Sequence, residues 1–388
     1  MNEKRVSQQL RSFERLLNSY EGKEPLSRFL TLFFKENRQM GSNDRRTLSR
    51  WVYHYFRLGK ALADRPFLER LVAAEYLCAA ESDVVALFNP VLAGSIGEEI
   101  DKKLSLLSEL FPFDIHDVFP LIKEVSTGLD PQAFLKSLFQ QPKLFIRIQP
   151  GAENAVKSCL TRNNVYYESV DTHCLALDNG VRLDQYGEIK GTYEVQDRSS
   201  QQTGTYFEAK PGEKWWDACA ASGGKSLLLM QTYSGVDLLV SDIRSSILRN
   251  LDERFEQAAL KHYRRKIIDL TKDPSVILGD ETFDGIILDA PCSGSGTWGR
   301  TPEMMQHFTD TRLQYFVELQ RAILKNTVRH LKVNKPLVYI TCSVYREENE
   351  EQLAFAEKLG LNLERMALVK GYEHQADTMF VARLIKSS

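Results

Sequence analysis

Apolar residues in the first third of the chain recur at helical spacing. Phe13, Leu16, Leu17 and Tyr20 form one such stripe, and Leu26, Phe29, Leu30 and Phe33 form a second. Ser42-Asn43-Asp44 reads as a polar cap for the amphipathic run Arg45–Tyr53. Few strand signals intervene, so residues 1–125 are expected to form an all-helical domain. The pattern then changes. Leu144–Ile148 and Val165–Val170 read as strands around a helix at Glu153–Leu160, with Gly187 and Gly191 as punctuation. Residues 126–205 are expected to form a small α+β module. From residue 206 strands alternate with helices. The expected strands are Lys214–Cys219, Asp237–Asp242, Lys266–Leu270, Gly285–Asp289 and Pro336–Thr341, and the expected helices include Leu313–Leu331 and Glu348–Leu359. Asn362–Val369 and Thr378–Ile385 add a terminal antiparallel pair. Residues 206–388 are thus expected to form an α/β domain on a seven-stranded, mostly parallel sheet.

Composition changes this picture little, but charge changes it more. With 43% hydrophobic and 26% charged residues the chain is ordinary for a soluble protein. No apolar stretch approaches the roughly 18 residues of a membrane span, and no apolar run follows the first five residues. A cytoplasmic monomer is expected. None of the six cysteines forms a C-x-x-C pair, so neither a zinc framework nor any other metal site is expected. Residues 1–60 hold 13 Lys/Arg and 6 Asp/Glu, a net +7, and the rest of the chain is −9. A basic end on an acidic body fits a domain that meets nucleic-acid phosphates. Arg45, Arg46, Arg50 and Arg57 are its candidate contacts. The same arginines could instead only solvate and brace helix faces.

Five strand ends carry candidate chemistry. Asp217-Ala218-Cys219-Ala220-Ala221-Ser222-Gly223-Gly224-Lys225-Ser226 is a strand, a turn of small residues and a helix start, which brings backbone N–H groups close to a ligand. Asp242 ends the next strand, at the distance from which an acid holds a ribose hydroxyl. With Asp269 and Asp289, three acids fall at successive strand ends, a set suited to the hydroxyls, amine and cationic sulfonium of S-adenosylmethionine. Gly224-Lys225-Ser226 also invites a P-loop reading, but that motif needs glycine at position 219, which is Cys219. The remaining signal is a pair of thiols, Cys292 in Asp289-Ala290-Pro291-Cys292-Ser293-Gly294-Ser295-Gly296 and Cys342 in Thr341-Cys342-Ser343. Both follow apolar runs, so both reach the sheet edge where open α/β folds bind ligands. One thiolate can activate a pyrimidine ring by covalent addition while the second thiol handles a proton. Cys78, Cys159 and Cys174 read as small buried hydrophobes, and Cys219 as a packing residue of its loop.

These motifs resemble the Sun-type RNA (cytosine-C5) methyltransferase family. The resemblance rests on Asp217–Ser226, on Phe283–Thr297 with Arg300-Thr301-Pro302-Glu303, and on Tyr339–Ser343 with Glu347-Glu348-Asn349-Glu350. Val195–Gln201 resembles the segment leading into the family's catalytic domain. Gly41–Arg46 with Trp51-Val52-Tyr53 and Arg57 resembles a helical domain similar to the antitermination factor NusB. The resemblance implies a Rossmann-like domain that binds S-adenosyl-L-methionine through Cys219, Ala220, Ala221, Ser222, Gly223, Gly224, Lys225, Asp242, Asp269 and Asp289. It implies Cys342 as the nucleophile, Cys292 as the thiol that assists release, Asp289 at the cytosine ring, and Arg300 among the RNA contacts. Ribosomal RNA is the implied partner. Two positions depart from the pattern: Ser222 stands where the family usually has proline, and Ile247 where arginine often follows the ribose acid. A catalytically idle RNA-binding or ribosome-assembly protein would keep the same fold, but the intact cysteines and acids argue against it.

Overall fold

The apolar stripe of the first helix, Glu3–Ser19, closes on Phe13 and Leu16, both fully buried. Phe13 meets Trp51 edge-to-face, with ring centroids 5.8 Å apart. Trp51 comes from the helix Ser42–Arg57, whose first turn holds the residues expected to precede it. Asp44, read as part of a cap, instead accepts hydrogen bonds from Arg5 and Gln9 on the first helix. The computed structural model describes residues 3–387 in two compact units. The first unit gathers the chain up to Lys123, Asp130–Gln141 and Thr297–Asp310. The last of these segments lies far along the sequence from the rest. Its side chains explain its place: Trp298 packs against Phe119 in a tilted pair with centroids 5.1 Å apart, and the Glu303 carboxylate accepts from the Leu26 N–H at 3.1 Å. Inside this unit Glu75 is fully buried, and accepts from Arg50, His54 and Ser82.

The second unit holds two sheets. The smaller joins β1 (Leu144–Ile148), β2 (Tyr167–Ser169), β3 (Cys174–Leu177) and β4 (Tyr193–Val195) in the order β2-β3-β1-β4, with antiparallel pairing. The helix Glu153–Arg162 covers it, burying Val156, Cys159 and Leu160 against Ile146, Ile148 and Leu175. β3 and β4 lie outside the expected strands: β3 is buried at every residue and so lacks alternation, and β4 has only three residues. The larger sheet is built from β5 (Lys214–Asp217), β6 (Asp237–Asp242), β7 (Arg264–Ile267), β8 (Gly285–Asp289), β9 (Pro336–Thr341), β10 (Leu361–Val369) and β11 (Met379–Lys386). Its order is β10-β11-β9-β8-β5-β6-β7, with β5 to β9 parallel to one another and β11 antiparallel to both its neighbours. The expected mixed seven-stranded sheet is therefore present. Its central strands face helices on both sides, which is why they read as unbroken apolar runs. Trp216, Ile286 and Leu337 enter one core, and Trp215, Ile287 and Val338 enter the other.

Strand order reverses between β5 and β8, so their carboxyl ends open a crevice of the kind that binds ligands. β7 ends at Ile267, short of the expected Leu270. It is an edge strand with alternate residues exposed, and the chain turns away immediately after it. No helix among the described residues is long and apolar enough to cross a membrane.

Glu75 generates a stability prediction. Burial by itself would raise its pKa, but His54, Arg50 and Ser82 together hold it below the usual carboxylate value. A depressed folded pKa gives stability that is present above the unfolded value and lost as pH falls through the folded one. Glu75→Ala is expected to cost about 3 kcal/mol in urea unfolding at pH 7, and less in acid. A cost that does not shrink as pH falls would show that the carboxylate charge is not the source.

Candidate active site

The first loop of the crevice follows β5. Ala221 sits at φ +48° and Gly223 at φ +83°, so the chain doubles back before the helix Gly224–Thr232 begins. A Cβ at Gly223 would stand 2.8 Å from Leu251, so only glycine fits there. The loop is tied to the next strand by Asp242, whose Oδ2 accepts from the Ala221 N–H at 3.1 Å. Arg244 donates to both carboxylate oxygens of Asp242, at 2.9 and 3.1 Å. Burial opposes ionisation of Asp242, but Arg244 and these N–H groups hold its pKa below the usual value.

Behind the loop, Asp217 is fully buried and accepts from the Ser226 hydroxyl at 2.6 Å, while its Oδ1 has no protein partner. Burial pushes its pKa up to about 7, helped by Asp289 and Asp242 and opposed by Ser226 and Lys225. Lys225 spans from the Ser200 hydroxyl at 2.8 Å to Asp289 Oδ2 at 3.1 Å. Cys219 lies among these acids, and burial together with Asp217, Asp242 and Asp289 raises its thiol well above the ordinary value. Its side chain packs, partly buried, against the core on one side of the sheet.

The two thiols meet. Cys292 Sγ and Cys342 Sγ are 3.4 Å apart, although 50 residues separate them in sequence. Both are free. The Cys342 hydrogen bond, burial and the charge of Glu348 raise the Cys292 thiol well above its ordinary value. The turns carrying the cysteines are stitched together: the Gly296 N–H donates to the Cys342 carbonyl at 2.8 Å, and the Thr378 N–H to the Gly296 carbonyl at 2.9 Å. A Cβ at Gly296 would lie 1.9 Å from the Thr378 carbonyl oxygen. Glu348 completes the join. It is fully buried and accepts from the Ser293 N–H at 2.8 Å, the Ser293 hydroxyl at 2.5 Å, the Ser343 hydroxyl and the Gln320 amide at 3.0 Å. Asn349 bonds the Ser126 hydroxyl at 2.8 Å and the Ser343 carbonyl at 3.0 Å.

Residues 205–385 match the 16S rRNA methyltransferase RsmB/F family. The match agrees with the resemblance read from the cysteine motifs. Ribosomal RNA small subunit methyltransferase B of Xylella fastidiosa (strain Temecula1 / ATCC 700964) is 33% identical over 230 residues, which are 55% of this chain and 52% of that one. The chain spans about half the length of the curated relatives it matches. A solved structure titled PH0851 aligns over 94% of this chain and 96% of its own, with TM-score 0.69 and 20% identity. NSun6 from Pyrococcus horikoshii, solved with SFG, aligns over 69% of this chain and 97% of its own, with TM-score 0.62 and 17% identity. These two likenesses show the fold alone.

The crevice gathers most of the sequence-derived candidates. Cys219 to Lys225, Asp242, Asp289, Cys292 and Cys342 all fall on the carboxyl edge of β5, β6, β8 and β9. Asp269 stands two residues beyond β7 and serves its own turn: its Oδ1 accepts from the Thr271 N–H and hydroxyl, and its Oδ2 pairs with Lys272. The arginines divide. Arg46 is exposed, and Arg50 is exposed while reaching Glu75. Arg45 is spent on the Met40 and Arg38 carbonyls. Arg57 corrects the expectation of a phosphate contact. It is 1% exposed and donates to the Leu138 and Gly299 carbonyls and to Gln141, so it holds the helical unit together. Arg300 lies in the Thr297–Asp310 segment of that unit and is partly exposed. Sequence reasoning quoted Glu348 only as part of a motif. A glutamate five residues after a strand-end Thr-Cys-Ser reads as a helix start, and nothing in the sequence says that it turns inward.

Asp217 supplies a pH test. Its raised folded pKa means that the native state is undisturbed below the unfolded value near 4, then loses stability as pH rises to about 7. Asp217→Asn is expected to escape that loss, gaining on the order of 2 kcal/mol relative to the native protein between pH 5 and pH 8. Thermal midpoints that fall equally for both proteins over that range would refute it.

Proposed function

We propose that the chain is an S-adenosylmethionine-dependent RNA methyltransferase that modifies carbon 5 of a cytosine in ribosomal RNA. The observation that carries this reading is the pair of free thiols 3.4 Å apart beside the Lys225–Asp289 ion pair. One nucleophilic centre is enough for most transfers. Two adjoining thiols suit a reaction with a covalent attack and a separate release.

The residues of the crevice fit the cofactor. Ala221 and Gly223 hold the loop back so that backbone can approach an adenosyl group, and a side chain at Gly223 would disturb that cradle. Asp242 offers a carboxylate to ribose hydroxyls, and Asp289 a carboxylate near a cationic sulfonium. Asp269, occupied by its own turn, contributes less to this reading. When bound, S-adenosylmethionine supplies an electrophilic methyl group.

The Cys342 thiolate adds to carbon 6 of the ring, and the electron pair of the 5,6 double bond moves toward ring N3. Lys225 and Asp289 act there as a unit: the ammonium donates the proton that N3 accepts, and the carboxylate orients it. Carbon 5 becomes enamine-like and takes the methyl group. It then loses its own proton to Cys292, which must be ionised to accept it, and the electron pair left behind expels the Cys342 thiolate. N3 returns its proton to Lys225, the ring regains its double bond, and the methylated product leaves.

The helical domain, residues 1–125, and the α+β module, residues 126–205, bring the RNA to residues 206–388 in this reading. In the helical unit a cavity of about 680 Å³ is lined by Arg5, Arg46, Arg50, Trp51 and Thr47, with Glu81 and Asp83 at its side. Its arginines suit sequence-independent phosphate contacts.

Two measurements test the reading. Cys342→Ala is expected to abolish methylation of RNA from a deletion strain, and Cys292→Ala to accumulate an RNA–protein adduct on denaturing gels that disappears in the double variant. Normal turnover by Cys342→Ala, or release at the native rate by Cys292→Ala, would overturn the division of roles. Arg46→Glu is expected to weaken RNA binding and lower the slope of log affinity against log salt by about 1. An unchanged slope in the folded variant would move the RNA anchor elsewhere, to the α+β module.

A further inference from the structure

The loop that follows β5 is held in part from outside the α/β domain. Its turn closes where the Gly223 N–H donates to the Ala220 carbonyl at 2.8 Å. Ala221, at φ +48°, makes that turn costly for the backbone, so ties from elsewhere must keep it. Asp242 supplies one of them. Arg254 supplies another: its guanidinium donates to the Ser222 carbonyl and to the Ser222 hydroxyl, each at 3.0 Å. The Ser222–Gly223 peptide is thus held at its carbonyl by Arg254 and at its N–H by Ala220. Arg254 lies on the helix Ser245–Gln257, and a second guanidinium nitrogen donates to the Glu194 carboxylate at 2.7 Å. Glu194 is buried on β4, in the α+β module. The turn before β4 sits directly on the same helix, because a Cβ at Gly191 (φ +79°) would stand 2.7 Å from the Gln257 carbonyl oxygen. A parallel tie runs beside it. Arg147 on β1 donates to Gln196 at 2.8 Å, and the Gln196 amide donates to the Gly224 carbonyl at 3.3 Å. Module and loop belong to one compact unit. The mechanism above uses neither Arg254 nor Glu194.

We propose that Arg254 is a positioning residue for the cofactor loop, and that its anchor, Glu194, makes the α+β module a structural part of the S-adenosylmethionine site. The inference rests on the cofactor reading above. An arginine free at its far end would lose rotamer freedom whenever it met Ser222. Glu194 fixes the guanidinium beforehand, so the fork is already aimed at the loop and that entropy is not lost again when a ligand binds. Lysine could not replace it, because a single ammonium does not present a rigid fork to a carbonyl, a hydroxyl and a carboxylate together. The module therefore does more than bring RNA to the site. A cut between residues 205 and 206 would strip the loop of the ties that Glu194 and Gln196 give it.

The test joins calorimetric binding of S-adenosylmethionine to amide hydrogen exchange of the whole chain without cofactor. Arg254→Gln is expected to speed exchange across Ala220–Gly223 at least about tenfold and to leave β9 as protected as in the native protein. It is also expected to weaken cofactor binding roughly tenfold, the scale of one charge-assisted hydrogen bond. Glu194→Ala leaves the guanidinium present but unanchored, so its loss of affinity is smaller, about threefold. The double variant is expected to bind no more weakly than Arg254→Gln, since both changes act along one path. A merely packing role would loosen β9 and the loop together. Where Arg254→Gln does not fold, Glu194→Ala decides the matter by the same two measurements. Native exchange across the loop, native cofactor affinity, or effects that add in the double variant overturn the inference. The exchange experiment needs no cofactor. A native protein that binds no S-adenosylmethionine would therefore sink the functional reading alone, and the hold of Arg254 on the loop would still be read from exchange.

Discussion

One buried carboxylate holds together the edge of the sheet on which the candidate site depends. Glu348 accepts four hydrogen bonds from groups on three stretches of chain: Ser293 after β8, Ser343 after β9, and Gln320 on the helix Asp310–Thr327. A buried ion is tolerated only where donors replace its water, and here most of those donors come from the two cysteine turns. Remove the carboxylate and two serine hydroxyls, an amide and an N–H lose their common acceptor at once. That shared dependence is why the sulfur–sulfur distance is a property of the network and not of either turn alone.

A second network does the same for the neighbouring half of the crevice. Asp242 reaches back to the Ala221 N–H and so holds a loop whose positive φ angles would otherwise be disfavoured. Lys225 leaves the same loop and pairs with Asp289 at the end of β8. Asp242 therefore fixes the loop backbone and Asp289 the Lys225 side chain, and in the proposed reading the same two acids present charge to a ligand. Asp217, buried behind them with one orphan oxygen, has its pKa pushed up to about 7, first by burial and then by the charges of Asp289 and Asp242.

In the helical unit the balance of charge is also partly structural. Arg57 spends its guanidinium on backbone carbonyls, Arg45 caps nearby carbonyls, and Arg50 leans on the buried Glu75. The net positive charge of the first 60 residues therefore overstates what faces solvent. Arg46, exposed on the rim of the cavity, remains as the clearest surface cation of the four.

The sequence by itself determined the α/β sheet, because strands buried on both faces must be apolar throughout and the intervening helices must not be. It also marked the chemistry: small residues in the loop after β5, acids at strand ends, and a thiol after each of two central strands. It did not show β3, which is buried at every position and so has no alternation, or the three-residue β4. Nor could it place Thr297–Asp310 with the helices, since Trp298 and Phe308 read equally well as part of any core. Arg57 looked like a phosphate contact because its charge is visible in the sequence and its burial is not. Glu348 looked like a solvated helix start for the converse reason. Only the tertiary structure decided which charges turn inward, because burial depends on partners far along the chain: Gly299 for Arg57, and Ser293 for Glu348.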